Sequence, residues 1–459
     1  MRLLTRTLLV LVLVTAAVPF LPSSARPHDP AASAAADDAV LTWSENAGEA
    51  ATAACLAPLD NPLHESRMYA IMQIAVHDAL NAIERRSRPY AFDVHGDAGA
   101  SPDAAVAAAA RNVLVELISQ LPLELVPQSC IDAGMESVEA DYATALALIP
   151  EGKAKADGID LGEDAAEAIL TQRATDGAVG PFLNFACPVD TDPGEYQCTP
   201  GTPFIAFEVW ENVTPFALKD SSQFRPGPPY RVKSEKYAAD FNEVKSLGGD
   251  GIGTPSLRTA NPTEIALFWW ESSPLKWNRI ARTVSRDRGL DLWENARLFG
   301  LLNLALADGY IAMVDAKNHY NYWRPVTAIQ NGDNDGNPAT AGDTTWTPLR
   351  GTPPDQDYAS GHSIEGGAGA EVLKQFFRTD RISFEDCSAS LPAGSTCGDP
   401  SPVFRSYSSF SQAAAENAYS RILIGFHFRK SVEEGTNYGR KIGKRTVNLY
   451  FRPVHKGSH

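Results

Sequence analysis

Positive charge is scarce in this 459-residue sequence, which has 40 lysines and arginines against 56 aspartates and glutamates and a net charge of −16. So acidic a chain is a poor partner for nucleic acid or an acidic membrane, and we expect neither. Strand-like alternation of apolar and polar residues is also scarce, which argues against a β fold. Any anion site must therefore be a local basic cluster inside an acidic molecule.

Cysteine is infrequent, with six residues and no Cys-x-x-Cys pair. The missing spacing disfavours thiolate metal binding, and the even number fits an oxidising compartment. Two pairs lie close together in loops rich in glycine and proline, although spacing alone does not establish the connectivity. We expect disulfides between Cys187 and Cys198, between Cys387 and Cys397, and between the remaining Cys55 and Cys130.

The first 25 residues have the pattern of an export signal. Arg2 and Arg6 precede an apolar run over Leu8–Phe20, which small residues follow. The alternative interpretation is an uncleaved membrane anchor, but the apolar run is short for one. We expect a signal peptide over residues 1–25, a secreted or periplasmic protein, and no membrane association after cleavage. Residues 26–40, rich in alanine, aspartate and proline, are expected to be a disordered lead-in.

Apolar residues recur at three- and four-residue steps along the rest of the chain, which predicts an all-α fold. We expect an N-terminal helical region over residues 41–285 and a C-terminal catalytic helical bundle over 286–459. The segment 290–317 is apolar nearly all round, which indicates a buried central helix. The other predicted helices are 65–84, 103–120, 131–148, 153–173, 234–246, 262–270, 362–378, 412–425 and 432–449.

Three segments of the C-terminal half contain residues suited to binding an anion. In the first, Lys317 and Arg324 are seven residues apart, nearly two helical turns, so both can project to one side. Pro325 then disfavours helical geometry at Arg324 and turns the chain outwards. Taken alone, this segment fits a solvated basic patch equally well.

The second segment is Ser360, Gly361 and His362, followed by an apolar helix. Serine is a good N-cap, and glycine lets the backbone approach a ligand closely. The amides of a helix N-terminus attract anions, and an imidazole beside them can move a proton. The alternative is an ordinary capped helix with a surface histidine.

The third segment places Arg421 within an apolar stretch and His427 after Gly425, where a helix should end. Burying a guanidinium without a partner is costly, so Arg421 needs an anion. The alternative is structural, with Arg421 paired to Glu416 or Asp315 and His427 hydrogen-bonded in the core.

In this order, K-x6-R-P, S-G-H and S-R-x5-H resemble the signature of the superfamily that joins vanadium-dependent haloperoxidases with type-2 phosphatidic acid phosphatases and bacterial acid phosphatases. The resemblance covers roughly residues 290–450. It is looser upstream, at Met72–Ala82 and Tyr237–Lys245, where we interpret the polar residues as helix-packing groups. It implies two packed helical bundles of the vanadium haloperoxidase type, with the anion site in the C-terminal bundle.

The resemblance also implies a role for each residue of the three segments. Lys317, Arg324 and Arg421 would neutralise the oxygens of bound vanadate, and phosphate could occupy the same site. The Ser360 hydroxyl and the Gly361 amide would hydrogen-bond the same group. We call these five residues the anion cage.

Two histidines would carry the chemistry. The resemblance makes His427 the axial ligand of vanadium, or the nucleophile towards phosphorus, and His362 the acid/base. The long chain and its helical N-terminal half favour the haloperoxidases over the simple phosphatases of this superfamily, which are usually shorter. The resemblance therefore implies vanadate-dependent oxidation of halide by hydrogen peroxide, with a small organic substrate. The alternatives are a phosphomonoesterase that forms a phosphohistidine on His427, and a non-catalytic phosphate-binding protein.

Two departures from the family pattern bear on the chemistry. Asp355 stands where an aromatic residue commonly shapes the halide pocket, and its charge would repel halide. We therefore expect bromide and iodide to be preferred to chloride, with activity improving at acidic pH as Asp355 is protonated. Ser431 replaces an aspartate four residues after His427, so another group must orient that histidine.

Other acidic residues have weaker signals. Asp333, Asp335 and Asn337 alternate along a turn that resembles the start of a calcium loop. The later bidentate glutamate is absent, so a plain acidic turn is the alternative. Asp308 and Asp315, on the buried central helix, are expected to orient the cage cations. No pattern indicates an oligomeric state.

Overall fold

Helical structure begins before the expected end of the disordered lead-in. The computed structural model describes residues 38–189 and 191–454, so the expected signal peptide and residues 26–37 lie outside the described residues. Helix α1 starts at Ala39, and the Asp38 side chain caps it by accepting a hydrogen bond from the Leu41 amide at 3.0 Å. The last two residues of the expected lead-in, Ala39 and Val40, are therefore helical, and Val40 is also buried.

The described residues form thirteen α-helices and two small antiparallel ladders. The helices are α1 Ala39–Ala53, α2 Pro62–Ile83, α3 Pro102–Ser119, α4 Gln128–Ala147, α5 Lys153–Arg173, α6 Glu235–Gly248, α7 Ala260–Phe268, α8 Ser273–Arg288, α9 Leu292–Tyr320, α10 Pro325–Gln330, α11 Gly361–Phe377, α12 Phe410–Leu423 and α13 Arg429–Leu449. The strands β1 Leu183–Asn184 and β2 Ile205–Ala206 form one ladder, and β3 Phe384–Asp386 and β4 Arg405–Tyr407 form the other.

The helices form two groups, which confirms the predicted all-α fold. Helices α1 to α5 pack on one another around α3, whose Ala104–Ala110 run is buried throughout. Helices α9, α11, α12 and α13 form the second group, and α2 joins the groups by packing on α9. The boundary at residues 285 and 286 stays a prediction.

Helix α9 is the central helix that the sequence predicted. It is long and apolar enough to cross a membrane by length and composition, but its apolar stretch is wholly buried among the other helices. Helices α2, α11 and α13 cover it, so its C-terminal end carries Lys317 into the interior. Helices α1, α8 and α10 were not predicted.

Close packing of α11 against α13 positions the site. A Cβ atom at Gly439 would lie 1.8 Å from the carbonyl oxygen of Ile364, and one at Gly367 would lie 2.3 Å from that of Thr436. Only glycine permits this approach, which packs the first turns of α11 against the middle of α13. Just before them, the Ser360 amide donates to the Ser431 carbonyl at 3.3 Å. The turn that precedes α11 therefore meets the loop that precedes α13.

The three expected disulfides are present, and no cysteine is free. Cys55–Cys130 joins the residues after α1 to the start of α4, across 75 positions of sequence. The other two close short loops, with separations of 11 and 10 residues. All three Cα–Cα distances, 5.2–5.7 Å, are ordinary for a disulfide.

Candidate anion site

Lys317 and Arg324 lie at the end of α9 and the start of α10, and both are buried, with 2% and 1% of their surface exposed. Asn321 ends α9 in the left-handed conformation, with φ of 44°, and Arg324 is extended. The chain therefore reverses between them, so that both side chains reach Asp355. Their predicted convergence is confirmed.

Asp355 pairs with both of these cations. Its Oδ2 atom lies 2.6 Å from Nζ of Lys317, its Oδ1 atom pairs with Nη2 of Arg324, and its backbone oxygen accepts a bond from Nε of Arg324 at 2.7 Å. Burial raises the pKa of the Asp355 carboxyl, but the two cations outweigh it and hold the pKa below its ordinary value. The expectation that mild acid would protonate Asp355 is therefore wrong. Burial in turn lowers the pKa of Lys317 to about 8.

His427 is oriented by Asp357, a residue to which sequence reasoning gave no role. Its Nδ1 atom lies 2.8 Å from Oδ1 of Asp357. The Ser431 hydroxyl donates to the backbone oxygen of Asp357 at 2.9 Å, which holds the backbone of that residue beside His427. Burial raises the pKa of Asp357 to about 7. Asp357, in the turn before Ser360, thus takes the orienting role of the aspartate that is missing at position 431. Its position three residues before Ser360 was the one sequence feature that could have indicated this role.

The other ring nitrogen of His427 faces Arg324. Nη1 of Arg324 donates to the Phe426 carbonyl at 3.0 Å and lies 3.0 Å from Nε2 of His427. A guanidinium only donates, so Nε2 carries the lone pair and Nδ1 carries the proton. Burial, followed by the charges of Arg324, Lys317 and Arg421, holds the pKa of His427 well below its ordinary value. The imidazole is therefore neutral, as a ligand or nucleophile must be.

Arg421 has no carboxylate partner among the described residues. Its Nη1 donates to the Trp269 carbonyl at 2.8 Å, and its buried Nε has no hydrogen-bond partner. Glu416 pairs with Arg405, and Asp315 pairs with Arg225, so neither structural partner considered from the sequence is available. Burial lowers the pKa of Arg421 to about 9. Such a guanidinium requires an anion from elsewhere.

Ser360 and Gly361 begin α11 as expected, but the serine hydroxyl does not cap the helix. The Ser360 hydroxyl oxygen instead accepts from the Ser363 hydroxyl at 3.0 Å. A Cβ at Gly361 would lie 2.4 Å from the sulfur of Met313, so glycine is needed for packing on α9. The first amides of α11 lack a side-chain acceptor from Ser360, and such amides bind anions.

His362 is held by a backbone carbonyl. Its Nε2 lies 3.1 Å from the oxygen of Glu271, and the Asn417 amide donates to the His362 carbonyl at 2.9 Å. Burial, followed by the charge of Arg421, lowers its pKa well below the ordinary value. Because a carbonyl oxygen only accepts, Nε2 of His362 carries the proton and donates a hydrogen bond to the Glu271 backbone oxygen, which leaves the Nδ1 lone pair available to accept a proton. The sequence gave no signal for the Glu271 carbonyl.

The expected roles of Asp308 and Asp315 are wrong. Asp308 accepts bonds of 2.6–2.8 Å from three successive backbone amides at Phe216, Ala217 and Leu218. Asp315 accepts from Arg225 at 2.6 Å and 2.7 Å. Both residues thus anchor the long loop before α6 rather than orienting the cage cations.

The acidic turn does not assemble a calcium site. Asp333 accepts from the Gly342 amide at 2.8 Å, and Asp335 accepts from the Asn337 amide and the Thr340 hydroxyl, both at 2.7 Å. No group of three or more His, Cys, Asp or Glu side chains that could hold a metal ion is found within residues 38–189 and 191–454. The structure therefore does not support the calcium site. The side chains of this turn accept hydrogen bonds from neighbouring residues of the same segment instead.

Three buried cations make the site suitable for an oxyanion, because one carboxylate, that of Asp355, pairs with them among residues 38–189 and 191–454. Lys317, Arg324 and Arg421 carry three positive charges, and Asp355 compensates one. The orphaned Nε of buried Arg421 shows where a further acceptor fits. Arginine forks and a lysine are the donors that vanadate or phosphate oxygens require. The residues present therefore fit a bound oxyanion beside Nε2 of His427.

The part of the chain that contains the cage residues is similar to known proteins. Residues 297–456, which contain every cage residue, match the family model described as the VCPO second helical-bundle domain. The vanadium chloroperoxidase of Curvularia inaequalis is 24% identical over 289 residues, covering 50% of this chain and 47% of that protein. The chain thus spans about half the length of this curated relative.

Solved structures extend the likeness over nearly the whole chain. A structure described as the first bacterial vanadium-dependent iodoperoxidase has a TM-score of 0.72 and 24% identity, covering 91% of this chain and 97% of that one. A holo-type bacterial vanadium-dependent chloroperoxidase has a TM-score of 0.67 and 16% identity, covering 90% and 97%. The fold is therefore that of the vanadium haloperoxidases. Residues 297–456 are in addition similar to the second helical-bundle domain of vanadium chloroperoxidase.

Proposed function

We propose that the protein is a vanadate-dependent haloperoxidase that oxidises iodide and bromide, in preference to chloride, with hydrogen peroxide. One observation carries the proposal: Nδ1 of the buried His427 is held by Asp357 at 2.8 Å, its Nε2 lies 3.0 Å from Arg324, and burial together with the charges of buried Arg324, Lys317 and Arg421 lowers its pKa. Its Nε2 lone pair is thereby directed towards the cations. A histidine ligand inside a cationic cage suits vanadate.

Each cage residue would hold one part of the cofactor. Lys317, Arg324 and Arg421 would neutralise its oxygens, and Ser360 with the Gly361 amide would add hydrogen bonds. Nε2 of His427 would bond to the metal. Vanadate would supply a Lewis acid that activates hydrogen peroxide towards halide. The protein's own contribution is to bind, to orient and to exclude bulk water.

His362 would manage the protons of the reaction. One halide ion gives two electrons to the peroxide O–O bond, one proton is consumed, and hypohalous acid and water are formed. Because its pKa is depressed, His362 is neutral at ordinary pH. It would first accept a proton from hydrogen peroxide and then return it to the departing oxygen, which becomes water.

The halide preference rests on Asp355. Its side chain is 21% exposed beside the cage cations, and its negative charge would repel a halide ion that approaches the bound cofactor. Chloride, the hardest of the three halides to oxidise, depends most on a tight halide site. The likeness to a protein described as an iodoperoxidase supports the same order.

The three disulfides support the further proposal that the protein is secreted or periplasmic. External hydrogen peroxide, halide and a small organic acceptor would then be its partners. Such an acceptor would be halogenated by the hypohalous acid that is released.

The second candidate is a phosphomonoesterase. The pair of Asp357 and His427 favours it, because a carboxylate that holds Nδ1 also prepares Nε2 to attack phosphorus. A phosphate-binding protein without catalysis is the third candidate.

One set of assays separates the three candidates. Phosphate-free protein would be incubated with orthovanadate and assayed with hydrogen peroxide and iodide, bromide or chloride in turn. In parallel, hydrolysis of a generic phosphomonoester would be measured without vanadate. We expect vanadate-dependent oxidation of iodide and bromide; hydrolysis alone would identify a phosphatase, and silence in both assays a binding protein.

A further inference from the structure

Two of the three cage cations already pair with a side chain of the protein itself. Nζ of Lys317 lies 2.6 Å from Oδ2 of Asp355, and Arg324 pairs with Oδ1 of the same carboxylate. These are the donors that an oxyanion would need. The Asp355 carboxylate therefore stands in for two oxygens of a bound anion.

Arg324 is engaged a second time. Its Nη1 lies 3.0 Å from Nε2 of His427, so the guanidinium donates to the lone pair that would bond a central atom. An incoming oxyanion must therefore replace both the Asp355 carboxylate and the His427 ring as partners of the Arg324 guanidinium.

The backbone around Asp355 is fixed on both sides. The Pro354 carbonyl accepts from the Ala206 amide at 2.8 Å, and the Asp357 amide donates to the Tyr322 carbonyl at 2.9 Å. The loop is thus pinned, and the 21% exposed side chain is the part that can leave the cations by rotating towards solvent.

We propose that Asp355 is an internal competitor that lowers the affinity of the cage for oxyanions and that rotates away from Lys317 and Arg324 when one binds. This inference rests on the proposed anion-binding function and adds a residue that sets its affinity. Apart from Asp357, which serves His427, the cage carries three positive charges and the one negative charge of Asp355. Removing that charge raises the local charge from +2 to +3 and frees two donors.

The test measures binding of inorganic phosphate, and separately of orthovanadate, by titration calorimetry, without any activity assay. Asp355→Asn keeps the size of the side chain and removes its charge. We expect it to bind phosphate at least tenfold more tightly than the wild type, about 1.4 kcal/mol. The matched control is Asp93→Asn, which removes an equal charge from a side chain that is 74% exposed and paired with Arg85; its affinity should be unchanged.

The outcomes are distinguishable. Equal affinity in the wild type and Asp355→Asn would overturn the role of Asp355 while leaving the anion site in place. Binding by neither protein would overturn both the inference and the proposed function. Where the variant fails to fold, a crystal structure of the wild type grown with phosphate decides: the Asp355 carboxylate should have left Lys317 and Arg324, and its retention beside a bound phosphate would overturn the proposal.

Discussion

Nδ1 of His427 lies 2.8 Å from a carboxylate oxygen of Asp357, within a turn that also supplies the start of helix α11. This contact fixes both the tautomer and the orientation of the ring. Ser431, four residues after His427, donates to the Asp357 backbone at 2.9 Å. The carboxylate and the hydroxyl together perform the orienting role that one aspartate at position 431 would otherwise have.

Asp357→Asn should weaken the site. The amide accepts a hydrogen bond less strongly and can rotate to present its NH₂ group, which would favour the wrong tautomer of His427. Substitution of groups that orient metal-binding histidines typically costs about 10- to 100-fold in metal affinity or activity. Orthovanadate affinity and iodide oxidation should both be measured. Ser431→Ala, which leaves the carboxylate in place, should have a smaller effect; equal effects would show that Asp357 does not orient the ring.

His362→Ala should separate binding from turnover. The residue donates to Glu271 and is assigned a proton-transfer role, so vanadate should still bind while the rate falls by ~10²–10⁴. The comparison requires the rate per bound vanadate, measured at saturating cofactor. His95→Ala, at an exposed position, is the control and should retain wild-type turnover. Collapse of vanadate affinity with normal turnover per bound vanadate would make His362 a binding residue.

The disulfides should contribute unequally to stability. In the chain-entropy model, a cross-link stabilises in proportion to the logarithm of the loop it closes, so separations of 75 and 11 residues predict a difference of about 1–2 kcal/mol. The double variant Cys55→Ala/Cys130→Ala should therefore unfold at lower denaturant concentration than Cys187→Ala/Cys198→Ala. All four cysteines are half-buried, which limits differences in packing. The reverse order would mean that local structure, not chain entropy, dominates.

Glu65 should make stability fall as the pH rises. Burial raises the pKa of its carboxyl from 4.5 to about 8, so the folded protein binds a proton that the unfolded chain releases. The contribution of Glu65 to the free energy of unfolding is therefore fully present below about pH 4.5. It is lost progressively as the pH approaches 8, a loss on the order of a few kcal/mol. Glu65→Gln should flatten the decline in Tm between these limits. Glu136→Gln, at an exposed position, should leave the decline unchanged; identical slopes in all three proteins would remove Glu65 as its source.

The burial of Lys317 and Arg421 could be predicted because each lies in a short segment with unusual local chemistry. Lys317 ends an apolar helix, and Arg421 interrupts another apolar stretch. Since isolated buried cations are costly, such residues indicate an anion even before the fold is known.

The partners of these residues could not be predicted in the same way. Asp355 and Asp357 are two positions apart, yet one pairs with the cations and the other with His427. Only the packing of two distant loops decides between these partners. Helix α8 was not predicted either. It buries the charged residues Lys276 and Arg282, whose partners Asp386 and Ser44 come from distant parts of the chain.

The most direct test of the central claim is a titration of phosphate-free protein with orthovanadate, in which iodide oxidation by hydrogen peroxide is followed for the wild type and His427→Ala. Activity of the wild type should rise with vanadate and saturate at one equivalent per chain. The variant should remain below a few per cent of it, because it lacks the nitrogen placed to bond the metal. Vanadate-independent activity in the wild type, or a variant that saturates to a similar rate, would contradict the assignment of the site.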